Sequence, residues 1–147
     1  MGDFMTRADV SESDYENIIH QQSSSAATNN ELFELMDRAL AEHPTSIRLW
    51  CQRGDLMRNR PPESPHVPPE ALSSYERAID IDPECAQAFE GIGHYYSIIK
   101  GDPTGAAKYL QRAIELGAGA SAYVGLHEVL ALVGREAEAR QLLYRAP

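Results

Sequence analysis

The side chains able to do chemistry in this sequence stand mostly in pairs, and the pairs are short of further partners. Glu90 and His94 are four residues apart, as are Cys51 and Asp55. On a helix that spacing puts both members on one face. A glutamate and a histidine offer two ligands to a metal, whereas zinc sites take three or four from the protein; solvated helix polarity explains the pair better. His127-Glu128 opens like a zinc-hydrolase motif, but position 131 is alanine and no second histidine follows. Gly91-x-Gly93 precedes no Gly-Lys-Ser and falls within a helical pattern, so close packing accounts for it better than phosphate binding. No serine, cysteine or histidine has the neighbours that activate a nucleophile, and Cys51 reads as a small packed hydrophobe. The expectation is a protein with no catalytic residue, no cofactor and no metal site.

Composition narrows the class further. The 147 residues suffice for one domain with a core, and 43% apolar with 24% charged residues is ordinary for a globular chain. Two cysteines do not make the disulfide framework of a small secreted domain, so both are read as reduced thiols. No stretch approaches the roughly 18–20 apolar residues of a membrane-spanning helix. Met1 to Val10 carries Asp3, Arg7 and Asp9 and lacks the apolar core of a signal peptide. A soluble, cytoplasmic protein is expected. The net charge is −9, and residues 1–44 hold nine of the 22 acidic side chains against only Arg7 and Arg38. A nucleic-acid binder presents a basic surface that this chain lacks, and an anionic membrane would repel it. A neutral or basic protein or peptide is the partner that fits.

The elements that must position these residues show in a repeat. One segment runs from Trp50 through Ala71, Tyr75, Ala78 and Ile79 to Asp82-Pro83. A second runs from Phe89 through Gly93, Tyr96, Ala106, Leu110, Ala113 and Ile114 to Leu116-Gly117. A third runs from Tyr123 through Leu126, Leu130, Ala139 and Leu143 to Ala146. Before them, Leu35, Met36, Ala39, Leu40 and Pro44 repeat the closing half of the pattern. Pro44 to Pro83 is 39 residues, Phe89 to Tyr123 is 34 and Ala113 to Ala146 is 33. The long first interval contains Asn59-Arg-Pro-Pro-Glu-Ser-Pro-His-Val-Pro-Pro-Glu70, whose five prolines forbid helix and favour a stiff extended loop. That loop at 59–70 reads as a tolerated insertion, with a recognition arm as the other reading. Periodicity and breakers predict helices over about 28–42, 46–58, 70–81, 86–99, 103–116, 120–133 and 135–146. Thr28-x-x-Glu31 is a capping box for the first of them, and Gly101, Gly117 and Gly134 are breaks. Ser13-x-x-Glu16 starts a further short helix with Tyr15, Ile18 and Ile19. Residues 1–27 are thus either a degenerate opening helix or a frayed segment, ahead of a domain at 28–147.

Ala71-Leu-Ser-Ser-Tyr-Glu-Arg-Ala-Ile-Asp-Ile-Asp-Pro83 and Ala106-Ala-Lys-Tyr-Leu-Gln-Arg-Ala-Ile-Glu-Leu116 resemble the second helix of a tetratricopeptide (TPR) unit, and the period near 34 agrees. The resemblance covers about residues 30–147. Ala71, Ala78, Ala106, Ala113 and Ala139 are the small residues that let helices approach; Tyr75, Leu110 and Leu143 fill the space beside them; Trp50, Phe89 and Tyr123 supply the aromatic of the opening helix. It implies an all-α fold, a right-handed superhelix of antiparallel helix pairs with about 3 to 3.5 repeats. Three positions depart from the family's pattern: Arg53 stands for leucine, His127 for glycine or alanine, and Ala118 for the closing proline. No polar helix follows the last unit to shield it, so Leu142 and Leu143 are expected to be partly exposed or covered by a second copy or a partner.

The resemblance also implies a concave groove lined by the opening helices. The stripe facing it would hold Arg48, Cys51, Asp55 and Arg58, then Gln87, Glu90, His94 and Ser97, then Glu128 and Leu132. TPR domains that clamp a terminal carboxylate place lysine, arginine and asparagine there, whereas this sequence offers Asp55, Glu90 and Glu128. The expected function is an adaptor or scaffold holding a neutral or basic peptide or protein. The alternative is a dedicated chaperone or toxin-neutralising immunity protein that masks one client.

Overall fold

The computed structural model describes residues 10–23, 29–58 and 69–147. The expected cap at Thr28 and most of the proline loop, 59–68, lie outside the described residues. Eight helices and no strand occur among those described: α1 Glu12–Ser23, α2 Asn29–Glu42, α3 Ile47–Arg58, α4 Pro69–Ile81, α5 Ala86–Ile98, α6 Pro103–Glu115, α7 Ala120–Leu132 and α8 Glu136–Arg145. Each odd-numbered helix packs on the even one that follows it, and α1, α3, α5 and α7 also pack in sequence on one another. The result is four stacked helix pairs whose opening helices form a common layer. The fold class is the one expected, all-α and built from antiparallel pairs.

The helix ends have local causes. Gly117 and Gly134 take positive φ values of 94° and 79°, a left-handed conformation that costs glycine little. Beyond them Ala118 N–H donates to the Ala113 carbonyl and Arg135 N–H to the Leu130 carbonyl, closing α6 and α7 with the bond pattern of a Schellman motif. Asp102 Oδ1 accepts from Gly105 N–H at 2.9 Å and Pro103 occupies the first turn, which starts α6. The first helix starts two residues earlier than its sequence pattern suggests. Ser11 Oγ accepts from Asp14 N–H at 3.2 Å while Asp14 Oδ2 accepts from Ser11 N–H at 3.1 Å. This reciprocal cap displaces the expected Ser13/Glu16 pair, because aspartate at 14 reaches back as well as glutamate does.

Tyr15 and Ile19 of α1 are buried with Leu32, Met36, Ala39, Leu40 and Leu49. Tyr15 Oη donates to Glu42 Oε2 at 2.7 Å and Ser46 Oγ to Glu12 Oε1 at 2.5 Å, so α1 is tied to α2 and to the start of α3. Further along, one packing device occurs twice. The Tyr75 ring of α4 lies between Gly54 of α3 and Gly91 of α5: a Cβ built on either glycine would stand 2.5 or 2.3 Å from ring carbon Cε1. Leu110 of α6 likewise fills the space between Gly93 of α5 and Gly125 of α7, with its side chain 2.6 and 3.4 Å from the added Cβ positions. A closing-helix side chain is thus held between its own opening helix and the next one, and both are fully buried. Arg53, standing where leucine was expected, donates from Nη1 to Ser74 Oγ at 2.6 Å, and Ser74 donates in turn to the Glu70 carbonyl at 2.6 Å. A satisfied polar pair replaces an apolar contact there without leaving a buried group unpaired.

Candidate functional site

The opening helices α3, α5 and α7 run side by side, and a cleft of about 500 Å³ lies across them. Its walls carry Asp55 and Arg58 from α3, Gln87, Glu90, Gly91, His94 and Ile98 from α5, and Ser121 and Glu128 from α7. Of the ten residues expected to line a groove, Asp55, Arg58, Gln87, Glu90, His94 and Glu128 meet here, and Leu132 lies outside the cleft walls. Arg48 does not: it is drawn toward α1, where Nη1 stands 3.2 Å from Glu16 Oε2, and its side chain is largely exposed beside a separate N-terminal cleft. Ser97 is half-buried outside the cleft walls. Cys51, taken for a groove residue, is fully buried, with its sulfur 3.8 Å from that of Cys85. Helix α3 turns that side chain inward, against the residue preceding α5.

The fold holds the charged groups in place from below. Tyr75 Oη passes between the two glycines and donates to Asp55 Oδ1 at 2.5 Å; Arg58 Nη2 stands 3.5 Å from the same oxygen. Burial pushes the Tyr75 phenol well above its ordinary range, with the Asp55 charge adding to the effect. Glu90 Oε1 lies 3.5 Å from His94 Nε2, at the outer limit of a hydrogen bond. The His94 imidazole holds the Glu90 carboxyl below the usual glutamate range against the opposing effect of burial, and Ser121 and Arg58 contribute in the same sense. The His94 ring itself rests over Gly125, whose added Cβ would meet Cε1 at 2.8 Å. The Glu128 side chain is exposed and makes no hydrogen bond or ion pair with a described residue.

Sequence reasoning missed Ser121 and Ile98. Ser121 stands 34 residues after Gln87, so the repeat period itself carried the signal, and Ile98 stands 34 before Leu132 in the same way. Ile98, Val124 and Leu132 are exposed at 70%, 52% and 74%. The face formed by α5 and α7 therefore alternates carboxylates with uncovered apolar side chains. No group of three or more metal-ligating side chains comes together among the described residues, and no described helix is long and apolar enough to cross a membrane.

No family model matches the sequence, and no curated protein matches it. Its structure is similar to solved ones. The thermophilic TPR protein TTC0263 of Thermus thermophilus superposes with a TM-score of 0.77 at 18% identity, over 92% of this chain and 72% of that one. MamA superposes with a TM-score of 0.70, also at 18% identity, over 92% of this chain and 77% of that one. At that identity the likeness is one of fold: the chain has the TPR architecture.

Proposed function

We propose that this protein is an interaction module that holds a peptide or protein segment against the layer formed by α3, α5 and α7. The observation that carries the reading is the cleft across those helices, where Asp55, Glu90 and Glu128 face the single arginine Arg58. A surplus of carboxylates in a concave site favours a basic or neutral segment and disfavours the terminal carboxylate that basic TPR grooves take. Ile98, Val124 and Leu132 add places for apolar side chains. The partner class is then a segment that mixes lysine or arginine with aliphatic or aromatic residues. The same mixture suits the second reading, a dedicated chaperone or immunity protein masking one basic, apolar client.

The role is one of holding, without turnover, and it suits a soluble protein of the cytoplasm. The test is capture of partners on immobilised wild type, Asp55→Lys and Glu90→Lys. Loss of the principal partner on both reversals supports the groove, and an unchanged partner set rules it out. A single captured protein would favour the dedicated client, and several unrelated ones the adaptor.

A further inference from the structure

The chain has two cysteines, 34 residues apart, and the fold brings their sulfurs to 3.8 Å, in contact but unbonded. Cys51 sits in the middle of α3 and is fully buried, whereas Cys85 directly precedes α5 and is 9% exposed. Cys85 occupies the N-cap position of α5 with extended backbone (φ −74°, ψ 94°), yet its side chain makes no capping hydrogen bond. Its sulfur is turned instead toward Cys51. Burial pushes the Cys51 thiol far above its ordinary range, with Cys85 and Asp55 adding to the effect, which favours its protonated form. Nothing in the groove-binding reading uses either thiol.

We propose that Cys51 and Cys85 form a redox-reversible crosslink, closed by hydrogen peroxide, that joins α3 to the start of α5. Cys85 is the thiol that solvent reaches first. Its sulfur attacks one peroxide oxygen; an S–O bond forms, the O–O bond breaks, and the thiol proton leaves with the departing hydroxide as water. Cys51 sulfur then attacks the sulfenic sulfur of Cys85. The S–S bond forms, the S–O bond breaks, and the Cys51 proton leaves with hydroxide as a second water. Two thiols have been oxidised and one hydrogen peroxide reduced. The crosslink sits one helical turn before Asp55 and two residues before Gln87, so it fixes the spacing of two walls of the cleft. It also encloses the chain between α3 and α5, proline segment included, and so constrains the unfolded state.

The experiment treats the full chain with hydrogen peroxide, alkylates it under denaturing conditions and weighs it intact. The expected product is a monomer lighter by two hydrogens, with neither thiol alkylated, returned to the starting mass by dithiothreitol. Its melting temperature without reductant should rise by on the order of 10 °C. Cys85→Ser, which keeps a good N-cap residue, and Cys51→Ala should retain the helical circular dichroism of the parent and lose the shift. Oxygen atoms added to either sulfur, disulfide-linked dimers, or two thiols still open to alkylation would each overturn the proposal. None of these readouts depends on a partner being bound.

Discussion

Tyr75 and Leu143 hold the same place in their helices, four residues after Ala71 and Ala139 respectively, yet Tyr75 is fully buried and Leu143 is 54% exposed. The next helix in the stack makes the difference. Tyr75 has a glycine of α3 on one side and a glycine of α5 on the other, whereas no described helix stacks beyond α8 to close over Leu143. In this architecture burial belongs to the interface between successive pairs and not to a pair alone. The same interface builds the site: the ring that locks α3 to α5 also delivers the hydroxyl that holds Asp55 at the cleft. Leu143 has no such second role.

Tyr75→Ala should destabilise the protein by about 3–5 kcal/mol, the range for a large buried aromatic, measured by urea unfolding. Next in size is Gly91→Ala. Its methyl would meet the Tyr75 ring well inside contact distance, and overpacking of that kind costs about 1–3 kcal/mol even against the gain in helix propensity. The loss should shrink when Tyr75→Leu is added, since a smaller side chain leaves room. Tyr75→Phe keeps the packing and removes only the bond to Asp55, for a cost of about 1 kcal/mol. Leu143→Ala should cost less still, under about 1 kcal/mol, because half of that side chain is already in water. A large effect of Leu143→Ala would mean that this face is covered in solution, and sedimentation or light scattering would then show a second copy.

The smallest effect expected is the pH dependence from Glu90. Its carboxyl is held below the ordinary glutamate range in the folded protein. The ionised form therefore contributes stability that is present above that range and is lost as pH falls through the lowered folded value. Glu90→Gln cannot lose what it lacks, so the stability gap between wild type and variant should narrow on acidification. A gap that stays constant would place the lowering of Glu90 in doubt.

Much of this was legible in the residues because the punctuation is strong. Pro83, Gly101, Gly117 and Gly134 stop helices within a residue or two of where the pattern places them, and the spacing of Ala71, Tyr75 and Ala78 recurs in Ala106, Leu110 and Ala113. The site was harder to read, and Cys51 and Arg48 show why. Position 51 lies on the helical wheel between Trp50 and Asp55, at the border of the packed and open faces. Which way it turns depends on how α3 is rotated against the residue before α5, and a single helix's periodicity does not contain that rotation. Arg48 went to Glu16 because α1 stacks beside α3. Its partner lies 32 residues upstream, beyond a stretch with no hydrophobic period to fix the register.

The reading of the cleft as a binding surface rests on charge, and Glu128 tests it with the least disturbance to the fold, being exposed and unbonded among the described residues. The decisive measurement is quantitative partner capture on wild type, Glu128→Lys and Glu76→Lys, the last reversing an exposed charge on the closing helix α4. The prediction is that Glu128→Lys lowers the principal partner by about tenfold or more, the effect of roughly 1.4 kcal/mol, while Glu76→Lys leaves it unchanged. Equal capture by all three proteins, or loss on Glu76→Lys alone, would contradict a binding surface formed by α3, α5 and α7.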